Sequence, residues 1–170
     1  MTAYVALLRG VNLGKRQLKM EDLRKVAAGL GLDEPRTYIA SGNLLFRSNK
    51  GEQALKAELE AAIAEHMRAR VGVMIRTAEE LAAVVAANPF ADEAAAFVVA
   101  IFLDAPPPAE SPKAAKNVDG ERIALGKREI YVHYPRGQGR SRLAIPAAAE
   151  GTARNMNTVA KLAELARELA

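Results

Sequence analysis

The chain has 170 residues, half of them apolar with alanine prominent, few aromatics, no tryptophan and no cysteine. A chain of this length buries roughly 70% of its unfolded surface, enough for one domain or two small ones without cross-links; lacking cysteine, it has no disulfide, thiolate zinc site or cysteine nucleophile. The net charge of +4 is unevenly placed: residues 9–25 and 127–154 each carry six Lys/Arg against two acids, whereas residues 26–126 carry ten against fourteen, and this asymmetry favours an anionic partner.

The first predicted strand runs from Ala3 to Arg9, a mostly apolar run closed by Gly10. Arg9 and Asn12 fall at its end, where binding groups often collect because strand ends are rigid and open to solvent. Gly10 and Gly14 bracket a loop followed by Lys15, Arg16 and Lys19. That loop lacks the G-K-[ST] ending of a phosphate loop, and no G-x-G-x-x-G is present, so no cofactor is expected.

Met20, Leu23, Val26, Ala27 and Leu30 mark a helical face with Gly31 as its C-cap. Pro35 separates this helix from a strand over Arg36–Ala40, Ser41-Gly42-Asn43 forms a turn, and Leu44–Arg47 returns as a strand. The spacing of Leu55, Leu59, Ala62, Ile63 and Met67 predicts a helix over residues 52–69. His66 falls on its apolar face and is expected to be a partly buried packing residue. Val73–Arg76 is the next strand. The order strand, helix, strand, strand, helix, strand is that of a ferredoxin-like unit.

Thr77-Ala78-Glu79-Glu80 is a T-x-x-E capping box opening a helix that stops at Asn88-Pro89. Phe97–Leu103 is a strand, Ala105-Pro106-Pro107-Pro108 an extended connection, and residues 109–117 a short helix. Glu121–Leu125 and Glu129–Tyr134 form a hairpin around Gly126-Lys127, with Tyr131 and His133 on one strand face. A basic glycine-containing loop, Pro135–Arg140, precedes a helical turn within residues 141–146. The last helix carries Val159, Leu162, Ala166 and Leu169 at helical spacing and is approached through the polar run Thr152–Thr158. Either Thr152 or Asn155 is expected to cap it. Both choices put Arg154 near the helix start, where a cation opposes the helix dipole by roughly 0.3–1 kcal/mol and a bound anion would reverse that cost.

The fold class expected is α+β, two tandem ferredoxin-like (split β-α-β) subdomains packed together. The first covers residues 1–77, a bridging helix and loop covers 78–95, and the second, with the C-terminal helix, covers 96–170. No apolar run approaches the 18 residues of a membrane span and no targeting segment is recognised, which makes the cytoplasm the default expectation.

Several runs resemble a known family. V-A-L-L-R-G-V-N-L-G at 5–14, K-M-E-D-L at 19–23, T-Y-I-A-S-G-N-L-L-F at 37–46, N-P-F at 88–90, E-I-Y-V at 129–132 and T-A-R-N-M-N-T-V-A-K-L at 152–162 are similar to the bacterial domain-of-unknown-function family 1697. The resemblance covers nearly the whole chain. It implies two ferredoxin-like subdomains and no established activity. Two positions depart from the family pattern: Met156 stands where tryptophan is common, and Leu13-Gly14 where paired glycines are often found.

The function ranked first is binding of a small anionic or phosphorylated ligand in a cleft between the subdomains. Arg9 and Arg154 would supply charge, and Asn12, Ser41, Asn43, Asn155 and Asn157 directional hydrogen bonds. The motifs contain no paired acid and base, no Ser-His-Asp set and no metal cluster, so they specify no reaction. If the protein is an enzyme, transition-state stabilisation by Arg154 and the asparagines is the expected mechanism. Two alternatives stay open. One is a structural or protein-interaction module in which these groups join the two units. The other is RNA or single-stranded nucleic-acid binding, which the basic segments favour and the missing aromatic recognition strand disfavours. No membrane partner is expected, and the oligomeric state is left open.

Overall fold

The computed structural model describes residues 1–13 and 17–170. Gly14, Lys15 and Arg16, assigned above to the first basic loop, lie outside the described residues. The described chain divides into two compact units, one comprising Met1–Leu81 with Leu162–Ala170 and the other Ala82–Lys161.

In the first unit, β1 (Thr2–Leu8), β2 (Asp33–Thr37), β3 (Asn43–Ser48) and β4 (Val73–Thr77) form an antiparallel sheet in the order β2-β3-β1-β4. The helices α1 (Met20–Gly29) and α2 (Glu52–Met67) follow β1 and β3. This is the strand order and connectivity of a ferredoxin-like unit. Alternation decides what each face buries. Tyr4, Ala6 and Leu8 of β1, with Leu44, Phe46, Val73 and Ile75, share one core cluster with Leu23 and Ala27 of α1 and Leu55, Leu59 and Ile63 of α2. Fully burying one such leucine is worth about 1.5–3 kcal/mol.

Two local expectations for this unit are corrected. The strand predicted over Arg36–Ala40 lies earlier, at Asp33–Thr37, and includes Pro35. Because β2 is an edge strand with a bulge between Asp33 and Arg36, the missing proline N–H interrupts no inner ladder. His66, predicted to be partly buried, is exposed in the last turn of α2, its Nε2 3.7 Å from Asp22 Oδ2. Leu55, Leu59 and Ile63 carry the buried face; His66 shares that face by helical spacing but sits in the last turn, where it is left exposed.

The capping box forms as the sequence predicts. Thr77 N–H donates to Glu80 Oε1 at 2.9 Å and Glu80 N–H to Thr77 Oγ1 at 3.1 Å, opening α3 (Ala78–Ala86). Asn88 Oδ1 accepts from Phe90 N–H, so the N-P-F run is a turn that stops the helix and seats Phe90.

The second unit repeats the strand order with no α-helix between its strands. Its strands β5 (Val98–Phe102), β6 (Arg122–Leu125), β7 (Glu129–His133) and β8 (Thr152–Asn155) pair antiparallel in the order β6-β7-β5-β8. Residues 109–117, predicted as a short helix, form turns. The helical turn expected within 141–146 occurs instead at Pro146–Ala148. These turns cover one sheet face, where Val99, Ile101, Leu103, Ile130, Val132 and Tyr134 cluster with Ile145.

The largest correction concerns Thr152–Asn155, read above as a lead-in to the last helix. It is a strand, with Val99 opposite Asn155, Ala100 opposite Arg154 and Phe102 opposite Thr152. Thr152 is therefore not the N-cap. Asn155 is, its Oδ1 accepting Thr158 N–H at 3.0 Å at the start of α4 (Met156–Leu169). Met156 is buried, so at this position the side chain packs in the interior. Among the described residues no helix is long and apolar enough to cross a membrane.

Candidate functional site

The segments Arg9–Asn12 and Ser41–Asn43, more than 25 residues apart in sequence, meet at one end of the first sheet. Leu8 N–H donates to Gly42 O at 2.8 Å and Arg9 N–H to Gly72 O at 2.9 Å. Asn12 adopts the left-handed conformation, φ 59°, which asparagine tolerates better than most residues. Its side chain is a three-way clamp: Nδ2–H donates to Ala40 O at 2.6 Å and Leu18 O at 3.0 Å, and Oδ1 accepts Leu18 N–H at 2.6 Å. Gly42, φ 90°, lies so close to β1 that a Cβ there would come within 2.6 Å of Val11 Cγ2 and 2.9 Å of Leu8 Cβ. Only glycine fits.

The polar groups of this pair have different surroundings. Arg9 is exposed and Ser41 half-buried. Asn43 is fully buried, its Nδ2 donating to Tyr38 O at 2.9 Å and Ser41 Oγ at 3.0 Å. Asn12 and Asn43 thus shape the turns from beneath, and Arg9 stands at the surface.

The other three candidates belong to the second unit. Arg154 is 7% exposed on β8, with Nη1–H groups donating to Thr152 Oγ1 at 2.8 Å and Ala153 O at 2.9 Å. Burial lowers its pKa to about 10, because the charged guanidinium has lost water contact. Asn155 caps α4 and Asn157 is exposed in its first turn. Arg154 shares a strand face with Tyr131, Glu129 and His133, since Ala100 lies opposite both Arg154 and Tyr131, Phe102 opposite Glu129 and Val98 opposite His133.

Tyr131 and His133, weighed above as base-stacking groups, are both buried. Tyr131 O–H donates to Val84 O at 2.7 Å, and burial pushes its phenol up to about 12. His133 Nε2 lies 3.5 Å from Glu93 Oε2, Arg122 reaches Glu93 Oε1 at 2.9 Å, and Arg122 also covers the Phe90 ring at 4.9 Å. These are packing roles; a stacking platform must be open to a base.

A hollow of about 340 Å³ in the second unit was not among the predicted sites. It lies where the basic loop Pro135–Arg140 faces the turn before β6, and Glu121, Tyr134, Arg136, Arg140, Ser141 and Arg142 line it. The loops are tied together at three points. Lys116 and Ala144 exchange backbone hydrogen bonds at 2.8 and 3.0 Å. Ser141 O–H donates to Glu121 Oε2, and Arg136 donates to both the carboxylate and the carbonyl of Asp119. The Ser141 hydroxyl, followed by the Asp119 N–H, holds the Glu121 carboxyl below its ordinary range. The sequence signal was present in the positive excess of residues 127–154, but nothing local indicated that the loop would be folded over a concavity.

Among the described residues no cluster of three or more His, Asp or Glu side chains is arranged to hold a metal ion.

A family model described as "Protein of unknown function (DUF1697)" matches residues 1–131. Among solved structures, a conserved bacterial protein from Streptococcus pneumoniae is similar at 25% identity with a TM-score of 0.82, over 98% of this chain and 99% of that one. No curated protein matches the chain.

Proposed function

The chain belongs to the family of proteins of unknown function DUF1697, and from that premise we propose that it binds a small anionic or phosphorylated ligand. One observation carries the reading: Asn12 and Gly42 lock two turns together with Arg9 exposed beside them. A preorganised pair of turns loses little freedom when a ligand docks, and a guanidinium beside it supplies charge and a planar donor fork. Arg9 contacts the anion, Ser41 adds a hydroxyl, and Asn12 and Asn43 keep the turns in place. On the second unit, Arg154, Asn155 and Asn157 are proposed as anion-recognising groups at the start of α4.

The test is thermal unfolding of the full chain with pyrophosphate, nucleotides, sugar phosphates and short RNAs, in wild type and Arg9→Ala. Small phosphorylated compounds should raise Tm in the wild type and lose that effect in Arg9→Ala, whose own Tm stays unchanged because Arg9 is exposed. A rise that survives Arg9→Ala removes this site.

A second reading, a structural module, is favoured by the way Asn12, Asn43 and Arg154 donate to backbone and side-chain oxygens of their own units. Arg154→Ala separates the two. A loss of more than about 2 kcal/mol, the scale of an emptied and partly unsatisfied buried site, supports the structural role. Near-wild-type stability supports recognition.

A further inference from the structure

The basic hollow of the second unit uses none of the residues in the preceding proposal and stands independently of it. We infer that it binds a small phosphate monoester bearing hydroxyl groups, a sugar phosphate in size and chemistry, with Arg140 and Arg142 on the phosphate and Glu121 and Tyr134 on the hydroxyls. Its volume of about 340 Å³ lies at the lower end of the range roughly 300–1,000 Å³ occupied by small-molecule pockets.

The distribution of charge leads to the ligand class. Of the three lining arginines, Arg136 is committed to Asp119. Arg140 and Arg142 are exposed, and among the described residues neither forms an ion pair. Two guanidiniums two positions apart repel one another, and a phosphate dianion between them replaces repulsion with charge-assisted hydrogen bonds.

The carboxylate narrows the class further. Glu121 is already bonded to Ser141 and to the Asp119 N–H, and it keeps its negative charge. A polyanion laid across the hollow would meet that charge. A monoester avoids it by turning neutral hydroxyls toward Glu121, whose remaining lone pairs accept them. Tyr134 lines the same hollow, and its phenol, raised by burial and then by the Glu121 charge, keeps its proton and can donate. The three ties between the loops hold this arrangement ready before any ligand arrives.

The experiment is isothermal titration of the full chain at low ionic strength with ribose 5-phosphate, inorganic phosphate and ribose. Wild type should bind ribose 5-phosphate, bind inorganic phosphate about tenfold more weakly and show no heat with ribose. Arg140→Ala/Arg142→Ala should weaken ribose 5-phosphate by about a hundredfold, the loss of two charge-assisted contacts, with Tm unchanged. Glu121→Gln should weaken ribose 5-phosphate without weakening inorganic phosphate, which loses a repulsive neighbour, whereas Arg9→Ala should change neither. Absence of ribose 5-phosphate binding in the wild type, or full binding in the double variant, overturns the site. Equal affinity for inorganic phosphate overturns the assignment of hydroxyl contacts. Loss of binding only in Arg9→Ala transfers the ligand to the first unit and overturns this inference while sparing the preceding one.

Discussion

Asn12 shows how one polar side chain can do structural work in a motif that looks like a binding motif. Its amide satisfies two carbonyls and one N–H that would otherwise lack these partners at the turn. Replacement by alanine removes all three bonds and places a residue ill suited to φ 59°. Asn12→Ala should therefore cost about 2–3 kcal/mol, read as a lower urea midpoint. Tyr131 offers a test by pH. Its phenol is raised from 10 to about 12 by burial and then by the Glu129 charge, so the fold favours the protonated form. That contribution is complete below pH 10 and is lost as pH rises through about 12. In the native protein, absorbance titration should show Tyr131 ionising well after the ordinary phenol range, with Tyr134 raised as well, and Tyr131→Phe should remove one tyrosine from that late step.

At the scale of elements, the helices of the first unit and the start of α3 were legible because their signals are local. The T-x-x-E box needs only four consecutive residues, and both of its reciprocal bonds are present. Thr77→Ala should lower stability by about 1 kcal/mol through the lost cap, measurable by denaturant titration. Strand β8 was not legible. T-A-R-N has neither the β-branched run nor the apolar alternation that marks a strand, and it becomes one only because β5 offers it a free edge. Gly151, just before it, reports that close approach. An added Cβ would lie 2.8 Å from Ile101 Cγ2 and 2.9 Å from the Phe102 carbonyl oxygen. The carbonyl belongs to a paired strand and cannot yield cheaply, so Gly151→Ala should destabilise by about 1–3 kcal/mol in thermal or urea unfolding. The helix predicted over 109–117 failed for the complementary reason. Its apolar content is used to cover the second sheet from turns, as Ala115 does against the core cluster.

At the scale of the whole molecule, the net charge of +4 and the two basic segments make salt dependence the measurement that sorts partners. A small ligand held by one or two guanidiniums should lose less than about tenfold in affinity between 50 and 200 mM salt. A nucleic-acid partner spanning six or more phosphates should lose about a thousandfold or more. A steep slope with short RNA would favour the nucleic-acid alternative over both anion sites proposed above.

Legible from the order of amino acids were the α+β class, the two-unit plan, the first ferredoxin-like unit and the capping box of α3. Each rests on hydrophobic period, glycine and proline placement, or side-chain reach within a few residues. The tertiary fold settled that T-A-R-N is a strand, that turns and short 3-10 helices rather than α-helices connect the strands of the second sheet, and that His66 is exposed while Tyr131 and His133 are not. It also decided that Asn12 and Asn43 turn inward to backbone carbonyls, and that Arg140 and Arg142 line a hollow. Strand pairing and concavity depend on partners many residues away, and chain order alone does not specify which edges and loops will meet.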